Sequence, residues 1–71
     1  LEERELVEAI DRFLRTLPER ECSMFLRRYW YVDSVQSIAA RYAIKENTAK
    51  SILFRTREKL RRYLAGEGII V

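Results

Sequence analysis

Residues 35–57 read VQSIAARYAIKENTAKSILFRTR, and this stretch decides the fold. A short segment with one apolar face is followed by a tight break and a longer, basic, amphipathic segment. Ile38, Ala39 and Tyr42 share one face of the first segment. Ala49, Ile52, Leu53, Thr56 and Leu60 recur at helical spacing in the second. Two such helices joined by a short turn make a helix-turn-helix, whose second helix is suited to the DNA major groove. Ala39 and Ala49 are small where the two helices would cross. Glu46, Asn47, Lys50, Ser51, Phe54 and Arg55 are left facing outward on the second helix. The stretch reads as a nucleic-acid-binding module.

The rest of the chain is consistent with one small helical domain. Its 71 residues allow a single core near the lower size limit for independent folding, and leave no room for a deep catalytic cleft. With 48% hydrophobic and 35% charged residues the composition is globular, not disordered. The chain starts at Leu1 instead of Met, as expected of a piece of a longer protein. No apolar run approaches membrane-spanning length, and no signal-peptide pattern is present. Cys22 is the single cysteine, so an internal disulfide is impossible; its neighbours Phe25, Leu26 and Tyr29 predict a buried, reduced thiol. A cytoplasmic protein fits these features.

Charge is segregated along the chain. Residues 1–21 carry seven carboxylates against four arginines, a net −3, whereas residues 45–64 carry seven cations against two glutamates, a net +5. A charge run is usually just a solvated helix face. Here the basic residues fall on the segment that the helical pattern independently assigns to DNA.

The periodicity predicts four helices with no winged elements, an all-α domain over residues 1–66 and a tail over residues 67–71. Helix one spans about residues 2–16, with Leu6, Ile10, Phe13, Leu14 and Leu17 inward and acidic residues in its first turn, opposite the positive end of its dipole. Pro18 restarts the chain at a first-turn position, where its missing N–H costs nothing. Helix two runs to about Trp30 and buries Cys22, Phe25, Leu26 and Tyr29, leaving Met24 off its apolar face. Asp33 or Ser34 caps helix three, which ends near Tyr42. Residues 43–45 turn the chain, helix four spans about residues 46–64, and Gly66 stops it. The aromatic run Tyr29, Trp30 and Tyr31 cannot all face inward from one helix end. At least one of them is exposed, or packs against Ile69 to Val71.

Three blocks together resemble region 4, the C-terminal promoter-binding domain of bacterial sigma-70-family RNA polymerase sigma factors. They are LPERE at residues 17–21 followed by FLRRY at 25–29, SVQSIA at 34–39, and NTAKSILFRTREKL at 47–60. The third is close to the family's TVKSxLxRARxxL. The resemblance covers residues 10–67, and its specificity lies in the order and spacing of the blocks. It implies that the second motif helix reads the −35 promoter element of double-stranded DNA while the domain holds the β-subunit flap of RNA polymerase core. An anti-sigma factor is a further implied partner.

Carried over residue by residue, the resemblance gives Glu46, Asn47, Lys50 and Ser51 as base-reading positions. Their chemistry suits the role: lysine donates to guanine O6 and N7, asparagine pairs with adenine N6 and N7, and glutamate accepts from cytosine N4. Ser34 and the Val35 amide match a backbone-phosphate contact, and Thr48, Arg55 and Arg57 are further phosphate candidates. Arg28 is expected to be structural, its stem covering the core. Three positions depart from the family pattern. Ala43 stands where the turn often has Gly, Lys45 where Ser commonly caps the recognition helix, and Ala49 where Val is usual.

Two other readings compete with a sigma-factor domain. One is the helix-turn-helix of a different transcription regulator, against which the blocks at residues 17–29 argue. The other is a degenerate module that binds a protein partner, kept open by Ala43 and Lys45. Catalysis finds no support: there is no His, no thiol–base pair and no glycine-rich phosphate loop. No metal-ligand set is recognisable and no cofactor or small-molecule substrate is expected.

Overall fold

A computed structural model describes residues 2–69. Four α-helices follow one another: α1 (Glu3–Leu14), α2 (Glu19–Tyr29), α3 (Val35–Arg41) and α4 (Glu46–Gly66). Among the described residues there is no strand. The 21 residues of α4 make it roughly 31 Å long at 1.5 Å per residue. It is the spine of a body 37 × 19 × 19 Å, with α1, α2 and α3 all packed on it and α3 also on α2.

The core divides along that spine. Around the N-terminal half of α4, Met24, Ile38, Ala39, Ala49, Ile52 and Leu53 are buried together, with Val35, Tyr42 and Ile44 packed on their edge. Around its C-terminal end, Ala9, Leu64 and Ile69 are buried, backed by Leu6, Leu60 and Tyr63. Thr56, fully buried between the two groups, donates its hydroxyl to the Ile52 carbonyl at 2.9 Å, so its burial leaves no polar atom unpaired.

Met24 corrects the sequence reading: it is wholly buried, not off the apolar face. Helix α2 packs on both α3 and α4, so its buried stripe is wider than a single partner would require. Tyr29 departs in the other direction: it is 48% exposed, its ring tilted against Phe25 with centroids 4.7 Å apart, and Cys22 is half-buried. Trp30, Tyr31 and Val32 are all exposed beyond the end of α2.

Each helix end has an identifiable cause. Ser34 caps α3, its Oγ accepting the Ser37 N–H at 3.0 Å. Pro18 is the N-cap of α2, one residue before the expected first-turn position. Lys45 caps α4 with no side-chain hydrogen bond, since an ammonium group has no lone pair to offer.

The C-termini of α3 and α4 are closed alike. The Ala43 N–H bonds to the Ala40 carbonyl at 3.3 Å and the Ile44 N–H to Ala39 at 3.0 Å. Gly68 bonds to Ala65 at 3.0 Å and Ile69 to Leu64 at 2.8 Å. Both are Schellman motifs, with Ala43 (φ 55°) and Gly68 (φ 81°) in the left-handed position and an isoleucine folded back on the helix. Gly66 is therefore the last residue of α4, and Gly68, not Gly66, turns the chain out of the helix. Ile69 buries against Ala9 and Leu64, away from the aromatic run; Ile70 and Val71, the other expected partners of that run, lie outside the described residues. Arg12 of α1 ion-pairs with Glu67 beside this cap. The Glu67 carboxylate, and after it Tyr63, raise the pKa of that guanidinium.

Candidate nucleic-acid interface

The outward face of α4 follows from its helical period. At 100° per residue, the buried line of Ala49, Ile52, Leu53 and Thr56 leaves Asn47, Ser51 and Phe54 pointing directly away from the core. Glu46, Lys50 and Arg57 fall on one flank of that line, Thr48 and Arg55 on the other. Every one of these side chains is exposed. The first three turns of α4 thus present a narrow polar ridge with cations on both flanks, the form a major groove admits.

The start of α3 sits beside the first flank. Ser34 is exposed, while Val35 is half-buried with its side chain against the core, so its contribution to an interface is its backbone N–H. Val35, Lys50, Phe54 and Arg57 line one shallow depression of about 170 Å³ together with Arg28 and Tyr29. The expected phosphate contacts at Ser34, Val35 and Arg57 therefore cluster on one side of the ridge, and Thr48 and Arg55 lie on the other. Tertiary structure brings the α3 terminus and the Arg57 flank together across 22 residues of sequence.

Two ion pairs shape the local charge. Lys50 Nζ lies 3.6 Å from Glu46 Oε1, one turn earlier on the same flank. Both ends are exposed, so the pair is weak and Lys50 is readily released to a stronger acceptor. Arg28 donates to the Asp33 carbonyl at 3.1 Å, and Arg27 lies 3.6 Å from the Asp33 carboxylate and 5.4 Å from the Tyr31 ring. These contacts hold the connection between α2 and α3, including Val32 at a φ of 59°, a conformation that a β-branched residue resists. Arg28, expected to cover the core with its stem, thus ties the α2–α3 connection through its guanidinium.

A second surface, whose residues sequence reasoning left unassigned, lies between α1, α2 and α4 and adjoins the shallow depression, sharing Tyr29 and Arg57 with it. Val7, Ile10, Leu14, Phe25, Trp30 and Leu60 line an open apolar groove of about 670 Å³, with Asp11 and Arg57 at its rim. Val7 is 58% and Trp30 77% exposed, an arrangement that marks an interaction surface better than scattered apolar residues do. The available signal was Val7 together with the crowded run at residues 29–31, an apolar surplus beyond what four packed helices bury. Among the described residues no group of His, Cys, Asp or Glu could hold a metal ion, and no helix is long and apolar enough to cross a membrane.

A short α3, a tight left-handed turn and a long α4 whose exposed ridge is flanked by cations define a helix-turn-helix DNA-binding domain. The chain matches the family described as sigma-70, region 4, over residues 13–62, and it belongs to that family. No curated protein and no solved structure matches it. The family is one of DNA-binding domains, not of enzymes, and the helix-turn-helix it implies is the one formed by α3 and α4.

Proposed function

We propose that this domain recognises the −35 element of bacterial promoters as part of an RNA polymerase sigma factor. In this reading the first turns of α4 enter the major groove, where Asn47, Lys50 and Ser51 meet base edges and Glu46 accepts from a cytosine amino group. Ser34, the Val35 amide, Thr48, Arg55 and Arg57 fix the register through phosphates on the two strands flanking the groove. The observation that carries the reading is the single exposed ridge of α4 with these cations on both flanks. The apolar groove between α1, α2 and α4 is the proposed seat of the β-subunit flap of polymerase, and of any anti-sigma factor that competes with it. A lone module of this size makes few contacts with DNA, so tethering to polymerase supplies much of the affinity. The cytoplasm is where such a protein works.

An amide-shift titration with a promoter duplex and a scrambled duplex tests this at two salt concentrations. Shifts at Ser34, Val35 and from Glu46 to Arg55, larger with the promoter, are expected. Equal shifts with both duplexes would reduce the ridge to a basic surface. No shifts at low salt would favour a module that binds only a protein partner.

A further inference from the structure

We propose that Phe54 reads the 5-methyl group of a thymine in the bound DNA. The inference rests on the base-reading role of α4 proposed above. Phe54 is 58% exposed in the middle of a polar, cationic ridge and belongs to neither part of the core. It sits one turn beyond Lys50 and three residues beyond Ser51, among the positions that point at the bases.

The ring also walls the depression between α2, α3 and α4. Val35 and Leu53 give this site an apolar lining, Tyr29 adds a second aromatic edge, and Arg28, Lys50 and Arg57 bring positive charge to it. A phosphate alone would satisfy the cations but leave the apolar lining and the Phe54 ring in water. A polar base edge would do the same. The feature of the major groove that pairs with an apolar surface is the thymine methyl group, which projects beside the flanking phosphates. Arg57 would meet a flanking phosphate and Lys50 a neighbouring base while Phe54 covers the methyl group. One helical turn is roughly 5.4 Å against roughly 3.4 Å per base step, so this thymine lies one to two steps from the base met by Lys50.

The test starts from a duplex selected by the domain from a random pool. Each thymine is replaced in turn by uracil, which removes only the methyl group, and affinities of the wild type and Phe54→Ala are measured by fluorescence anisotropy. Uracil at one position should weaken wild-type binding about four-fold, the effect of leaving one methyl group unburied. Phe54→Ala should bind the thymine duplex about four-fold more weakly and be indifferent to uracil at that position. The exposure of Phe54 predicts an unchanged melting temperature for the variant.

The proposal is overturned if no uracil weakens the wild type, or if Phe54→Ala loses the same affinity with thymine and uracil at every position. A selected duplex that binds no better than a scrambled one would sink base reading by α4 altogether, and this proposal with it. Discrimination that survives, is reduced by Lys50→Ala and shows no coupling between Phe54 and uracil would sink the methyl contact alone.

Discussion

Ala43 is the residue that departs most directly from both the family pattern and what its backbone conformation favours. It closes α3 with a φ of 55°, a region that Gly enters freely and a Cβ resists. Replacing Ala43 with Gly should therefore stabilise the domain by about 0.5–1 kcal/mol after allowing for the greater freedom of the unfolded chain. Urea unfolding would show it as a higher midpoint with an unchanged slope, and a lower midpoint would mean that the turn is not left-handed. Ser34 supplies the opposite case, a favourable cap whose removal in Ser34→Ala should cost about 1 kcal/mol. Met24, fully buried where α2 meets α3 and α4, should cost about 2–5 kcal/mol as Met24→Ala. A cost below 1 kcal/mol in the same unfolding measurement would return Met24 to the surface, where its sequence position had put it.

At the scale of the element, α4 serves two purposes with its two ends. Its N-terminal turns carry the exposed, cation-flanked ridge, and its C-terminal turn anchors α1 through Leu64, Ile69 and the Schellman cap. A chain ending at Glu67 would lose Gly68 and Ile69, and with them the cap bonds to Ala65 and Leu64 and the cover over Ala9. Such a truncation should raise amide hydrogen exchange in α1 and the last turns of α4 while leaving α3 and the first turns of α4 protected. Uniformly faster exchange would show that the two parts of the core unfold as one unit. The cap was legible in part, since two glycines announce a helix end. Which of them adopts the left-handed conformation was decided by Ile69, which finds its apolar partners only if the turn comes at Gly68.

For the whole molecule, the segregated charge makes DNA affinity a function of salt. Arg55→Ala and Arg57→Ala should each weaken binding to promoter and scrambled duplexes alike and lower the slope of log K against log salt by about 1. Asn47→Ala should leave that slope unchanged and cost about 1–3 kcal/mol on the promoter duplex alone. An inverted pattern would exchange the two roles.

The helix-turn-helix and the outward face of α4 were legible before any coordinates, because a period of 3.6 residues divides a helix into faces whatever it packs against. The expected site residues on α4 are exposed for the same reason. Periodicity is blind to how many partners a helix has, so it left out Met24, which α3 and α4 enclose from one side of α2. It equally overestimated the burial of Tyr29, because the surface available at the end of α2 does not cover it. The amino-acid sequence by itself determined the order of the helices, the basic ridge and the family. Only the tertiary structure decided that Ser34 and Val35 join Lys50 and Arg57 on one flank, that Phe54 walls a depression there, and that an apolar groove stays open between α1, α2 and α4. These depend on how helices cross, a relation between distant residues that local spacing does not encode.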